Sequence, residues 1–423
     1  MNDSIKNLML KEKFNLKDEA INIVQEAEDE LKDKFKEIDD ICEFNQYKVL
    51  SAFQKNRVSE MHLNGTTGYG YNDTGREVIE KVYADIFKTE DALVRLNMLC
   101  GTHALKVALF GNLKCGDEVL FPAGKPYDTL DSTIGINGAK GSLADYGITH
   151  KIVPLKEDES FDYDKIKEAI NDKTRLVEIQ RSRGYDTRAT FSVEKIGELI
   201  KFIKEIKSDV IVMVDNCYGE LTDYIEPTEV GADFVVGSLI KNLGGGVAPC
   251  GGYIAGKTEY VENASYALNT PGLGKEIGAS LGYNRSFLEG LFNAPSVVKS
   301  ALKGAILTAR VFEKLGYKVS PGSMDKRNDI VQQIYLNNAD NVIKFCQAIQ
   351  HSSPVDSHVS AEPWDMPGYD DPVIMAAGTF IQGSSIELSA DAPIREPYVV
   401  YMQGGLNYEH VKLSILNAVN EMI

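Results

Sequence analysis

Seven short apolar runs recur through the middle of this chain, at 92–95, 117–121, 151–153, 176–179, 210–214, 234–236 and 253–255. Stretches of helical spacing precede the first of them, at 76–87, and separate others, at 102–110 and 191–206. A strand with no polar face must be covered on both sides, and helices alternating with strands supply that cover. The pattern therefore predicts an α/β fold built on a mostly parallel sheet of the seven-stranded type.

The flanks read differently. Residues 11–56 are rich in Lys, Glu and Asp, with Ile21, Val24, Ala27, Leu31, Phe35 and Ile38 at helical spacing, which predicts a helical arm over 1–65. A Gly/Asn/Thr loop over 62–75 follows and carries Tyr69-Gly70-Tyr71. A large domain is expected over 66–300. A smaller α+β domain is expected over 301–423, with a long helix at 294–316, strands at 317–319, 329–335 and 386–388, and helices at 338–350 and 408–422.

Composition narrows the function. The formal charge is −17 and the Lys and Arg residues are scattered, so a nucleic-acid backbone is not an expected partner. No stretch approaches 18 uncharged apolar residues, and the N-terminus Met1 to Lys6 has no basic segment leading into an apolar one, so no membrane partner is expected and the chain reads as cytoplasmic. Six Cys without a CxxC pair fit a reducing compartment. The six His have no ligand spacing, and no metal site is expected.

Four features on the α/β core carry chemistry. Gly101-Thr102-His103 opens a helix after a strand, either as a turn and N-cap or as an anion site made by backbone amides. Asp215 ends the strand at 210–214, where ligands of open α/β sheets bind, and suits a helix cap, a Mg²⁺ ligand or the partner of a protonated ring nitrogen. In Gly237-Ser238-Leu239-Ile240-Lys241-Asn242 a strand ends in Gly-Ser and a lysine follows, either solvent-facing or a desolvated amine. Tyr127 follows the strand at 117–121, as a surface turn residue or an aromatic plate. Together they are the parts that hold pyridoxal 5'-phosphate: a helix end with Gly101, Thr102 and Ser238 for the phosphate, Asp215 for the pyridine nitrogen, Tyr127 for the ring face and Lys241 for the aldehyde.

Those residues resemble the cofactor site of the aspartate-aminotransferase-type pyridoxal phosphate enzymes. More narrowly, 76–106 and 232–256 are similar to the cystathionine and methionine lyase branch. The segments 270–279 and 387–395 are similar to a bacterial methionine gamma-lyase-like, aluminium-resistance group. The resemblance implies a lyase that eliminates or replaces a group at the β or γ carbon of a sulfur-containing amino acid, with Lys241, Asp215 and Tyr127 catalytic. It also implies His103, Tyr69 and Tyr71 at the cofactor and a homodimer or tetramer with shared active sites, the loop of Tyr69 and Tyr71 reaching a neighbouring subunit. Arg395 or Arg183 would take the substrate carboxylate. Three positions depart from the branch: Tyr71 stands where an Arg falls, Ser182 or Arg183 stands in place of an Asn that touches the ring, and Arg395 is only the best counterpart of the substrate arginine.

Two other classes are weighed against this. Gly251 to Thr258 spells the P-loop pattern, with Asp215 as the Mg²⁺ partner, but its interior Tyr-Ile-Ala reads as a strand rather than a phosphate-cradling loop. A protein that holds the cofactor without turnover is the third.

Overall fold

The computed structural model describes residues 2–366 and 371–423, without the side chains of residues 2–4 and 6; Met1 of the N-terminal segment read above lies outside the described residues. The chain divides into two compact units, Phe44–Ala294 and Met1–Glu43 with Pro295–Ile423. The arm expected over 1–65 is therefore shared between them, and the boundary expected at 300 falls at Pro295. Three helices make up the arm, α1 (Asn2–Phe14), α2 (Asp18–Glu30) and α3 (Lys32–Lys55).

The Phe44–Ala294 unit runs α4 (Thr74–Phe87), β1 (Asp91–Arg95), α5 (Gly101–Asn112), β2 (Glu118–Phe121), α6 (Leu130–Ile134), β3 (Thr149–Ile152), α7 (Tyr163–Ala169), β4 (Thr174–Gln180), α8 (Val193–Ile206), β5 (Ile211–Asp215), β6 (Phe234–Ser238), β7 (Gly252–Gly256) and α9 (Thr258–Leu268). All seven expected strands form one sheet of order β1-β7-β6-β5-β4-β2-β3. It is parallel from β6 to β3, while β7 is antiparallel to both β1 and β6. β5 to β7 are buried along their whole length, as strands covered on both faces must be. On one face α5 and α9 pack over Leu93, Val119, Met213, Val236 and Ile254. Their approach needs Gly111, where a Cβ would fall 2.6 Å from the Asn263 carbonyl oxygen and 2.8 Å from Ala264 Cα. The P-loop letters resolve as strand, because β7 occupies their interior.

In the other unit α10 (Asn284–Lys314) continues from the large unit, beginning ten residues before its expected start. A five-stranded antiparallel sheet follows, made of β8 (Lys318–Ser320), β9 (Val331–Tyr335), β10 (Val373–Ala376), β11 (Ser389–Pro393) and β12 (Val399–Gln403) in the order β10-β11-β12-β9-β8. α11 (Ala339–His351) and α12 (Tyr408–Met422) complete the unit, and α12 packs on both α11 and α2. The strand expected at 386–388 is a bend. Glu387 there points its carboxylate at the N–H groups of Phe380 (2.8 Å) and Ile381 (2.9 Å), which fixes a loop rather than a sheet edge, and the strand begins at Ser389. Among the described residues no helix is long and apolar enough to cross a membrane.

Candidate active site

The parallel strands β4, β5 and β6 end side by side, with Gln180 opposite Asp215 and Asp215 opposite Val236. This register brings residues far apart in sequence to one sheet edge. The backbone past β5 is locked: the Asn216 N–H donates to the Val236 carbonyl (2.9 Å), and the Arg181 N–H donates to the Asp215 carbonyl (3.0 Å). Arg181 itself is fully buried. It donates to Asn216 Oδ1 (2.9 Å) and Thr222 Oγ1 (3.2 Å) and lies 3.6 Å from Glu226, so it stiffens the loop from below.

Five of the expected residues, Gly101, Tyr127, Asp215, Ser238 and Lys241, converge with two that were not expected, Cys217 and Tyr218. A Cβ placed on Gly101 would lie 3.3 Å from Cys217 Sγ, 3.5 Å from Ser238 Cβ and 4.0 Å from Lys241 Nζ, so glycine there keeps the helix end open to the lysine. Lys241 Nζ sits 3.8 Å from the centre of the Tyr218 ring. Burial opposes its charge, but Cys217, Tyr218, Asp215 and Tyr127 around it reverse the balance and hold its pKa well above the usual lysine value. Asp215 is buried, accepts from the Cys217 N–H (3.1 Å), and is pushed up by desolvation, against which Lys241 pulls down. Tyr127 packs its ring edge on Gly184, whose φ of +59° and missing side chain make room for it: a Cβ there would come within 2.9 Å of Tyr127 Cδ2.

The start of α5 is suited to an anion. Its N-cap residue Cys100 gives no side-chain hydrogen bond, so the first-turn amides keep their positive end free of a side-chain cap. Thr102 Oγ1 lies 2.6 Å from Thr129 Oγ1 and is half-buried. His103 is turned away from this role at one nitrogen: its Nδ1 accepts the Leu99 N–H (3.1 Å) and so shapes the turn into α5.

Beside Asp215 stands Glu178, buried, with neither carboxyl oxygen in a hydrogen bond; burial first and then Asp215 push its pKa well above the usual carboxylate value. Arg188 straps the neighbouring turn, donating to the carbonyls of Gln180 (3.0 Å) and Ser182 (2.6 Å). Arg183 is buried in the same turn. Tyr69 and Tyr71 stack on one another at 5.6 Å and stay exposed, at 69% and 51%. Arg395 belongs to the other unit, where it is half-exposed and pairs with Asp371 at 2.9 Å.

Cys217, Tyr218, Glu178, Glu220 and Arg188 were not singled out from the sequence. A signal for three of them was present, since 216–220 is a short run with polar and aromatic side chains immediately after a fully apolar strand. The assembled site offers an aromatic side chain in Tyr127 for a planar ring, an uncapped helix end for an anionic arm, and a half-buried amine for an electrophile.

Comparison with known proteins agrees with this geometry. The methionine gamma-lyase family model matches residues 20–423. The uncharacterized protein YnbB of Bacillus subtilis is 50% identical over 400 residues, which cover 94% of this chain and 95% of that one. The crystal structure of a carbon-sulfur lyase involved in aluminum resistance from Clostridium novyi is 49% identical, with a TM-score of 0.96 and 100% of both chains covered. The pyridoxal-5'-phosphate dependent protein YhfS of Escherichia coli shares the fold at 16% identity, with a TM-score of 0.61 over 90% of this chain and 95% of its own.

Proposed function

The chain belongs to the methionine gamma-lyase family, and from that premise we propose that it is a pyridoxal 5'-phosphate-dependent carbon–sulfur lyase acting on a small sulfur-containing amino acid. The observation that carries the reading is the half-buried Lys241 amine, set near Gly101, Tyr218 and Cys217 and acted on by Asp215 and Tyr127. The residues suit the cofactor on their own terms. Asp215 is a buried carboxyl whose ionised form is short of positive charge, and a protonated pyridine nitrogen is the cation that would complete it. The uncapped start of α5, with Thr102 and Ser238, would take the phosphate, and the Tyr127 ring would cover the pyridine plane.

When bound, the cofactor supplies a sink for the electron pair left at the substrate α carbon. Lys241, freed as an amine, removes the α-proton as general base, and Tyr218 covers it from solvent on one side. Asp215 keeps the proton on the pyridine nitrogen. Arg188 holds the 180–182 turn, and with it Ser182 and Arg183, at the edge of the site. Arg183 would receive the substrate carboxylate, and the exposed pair Tyr69 and Tyr71 suits a loop that completes a neighbouring subunit's site in a homodimer or tetramer.

Purified protein mixed with pyridoxal phosphate should gain a visible band, and sulfur amino acids should then be screened for release of ammonia, oxo-acid and thiol. At least one should be turned over, and Lys241→Ala should lose that turnover by about a thousandfold or more. A visible band with silence on every substrate would favour a cofactor-holding protein without turnover.

A further inference from the structure

A further buried acid lies in the loop after β5. Glu220, fully buried, follows Asp215 by five residues and accepts the Tyr253 hydroxyl at 2.9 Å on Oε1, while Oε2 has no partner. The pair lies over Gly237, the residue before Ser238 on β6. A Cβ there would fall 2.4 Å from Tyr253 Cε1 and 2.6 Å from Glu220 Oε1, so only glycine admits them. The same segment is tied to the neighbour of Lys241, because Asn242 Nδ2 donates to the carbonyls of Tyr218 (3.0 Å) and Glu220 (2.9 Å).

Titratable groups from several elements face Glu220. From β7 comes Tyr253. From α4 comes Tyr83, which is buried with an unpartnered hydroxyl and has its ring 5.7 Å from that of Tyr253. Glu226 and Cys217 belong to the same loop region, and Lys241 comes from the end of β6. Glu226 is already occupied by the Leu221 N–H (2.9 Å), Asn216 Nδ2 (3.0 Å) and Arg181 (3.6 Å). The phenols are less acidic than usual, above all through burial. Glu220 is thus the member of this cluster free to change its charge next to the lysine.

We propose that Glu220 is a positioning residue that tunes Lys241: uncharged, it leaves the lysine unassisted by a further anion, and on ionising it adds a carboxylate that favours the protonated nitrogen. Its surroundings give the pH at which this happens. Burial raises the carboxyl to about 8, while Tyr253 and Lys241 pull the other way. The proposal rests on the reading that Lys241 is the cofactor lysine.

Two measurements test it, on wild type, Glu220→Gln and Tyr253→Phe. In the apoprotein, a carboxyl raised in the folded state from 4.5 to about 8 contributes stability that is complete below pH 4.5 and lost as pH rises through 8. Melting temperatures of wild type should therefore fall relative to Glu220→Gln across that window, and parallel curves would overturn the proposal. In protein loaded with pyridoxal phosphate, the visible band should change with pH at a value lower in Glu220→Gln than in wild type by about half a unit or more, since the variant never supplies that further anion. Tyr253→Phe, which removes a donor that favours the carboxylate, should move the transition in the same direction but less. A visible band with one transition common to all three proteins overturns the proposal alone; the absence of any band overturns the cofactor-lysine reading beneath it.

Discussion

Asp73 shows how one side chain fixes the loop that carries Tyr69 and Tyr71. It caps α4 by accepting the Arg76 N–H (2.9 Å), and it also accepts the hydroxyls of Thr66 and Ser280 and the amide of Asn284 (2.9 Å). Burial would raise its pKa, but these donors outweigh burial and bring it down from 3.8 to about 2. A carboxyl depressed in the folded state stabilises above its unfolded pKa, so about 2 kcal/mol should be present above pH 4 and lost as pH falls toward 2. Melting curves between pH 2 and 5 should show that loss in wild type and a flatter course in Asp73→Asn, which should also be less stable by about 2 kcal/mol at neutral pH. Equal slopes would mean that Asp73 is not ionised in the folded state. In the sequence Asp73 is one more polar residue in a Gly-rich loop, because two of its donors, Ser280 and Asn284, lie 207 and 211 positions away rather than at local spacing. Lys241 and Asp215 were legible for the opposite reason: each sits at a fixed distance from an apolar strand end.

At the scale of elements, the large sheet was legible because its strands are continuous apolar runs, whereas the small one was only partly so. β9 reads Val-Gln-Gln-Ile-Tyr and β11 reads Ser-Ala-Asp-Ala-Pro, yet both are almost wholly buried. Their polar groups satisfy one another across strands, as where Gln403 Nε2 donates to Ser389 Oγ (3.0 Å) and Asp391 Oδ2 (3.0 Å). Such pairing cannot be inferred from one strand's hydropathy. α5 has a different constraint, since the same helix must present its start to the ligand and its Gly111 to α9. Gly111→Ala would drive a methyl group against Asn263 and Ala264, with an expected loss of about 2 kcal/mol. Because α5 also carries Gly101 and Thr102, the variant should bind pyridoxal phosphate more weakly, read by equilibrium titration of the visible band. Unchanged affinity with lowered stability would show that the helix end is held independently of the α5–α9 contact.

For the whole molecule, the family model covers residues 20–423, so both units belong to the design that the relatives share. The proposed chemistry nevertheless turns on one nitrogen atom in the Phe44–Ala294 unit. The scattered surface lysines are ordinary solvated cations, and Lys241 differs from them by lying half-buried against the Tyr218 ring, with Asp215 and Cys217 acting on it. The most direct measurement reduces the pyridoxal phosphate-loaded protein with borohydride, digests it and locates the added mass by peptide sequencing in a mass spectrometer. A single phosphopyridoxyl adduct on the peptide containing Lys241 is the predicted result; an adduct on a different lysine, or none at all, would contradict the account.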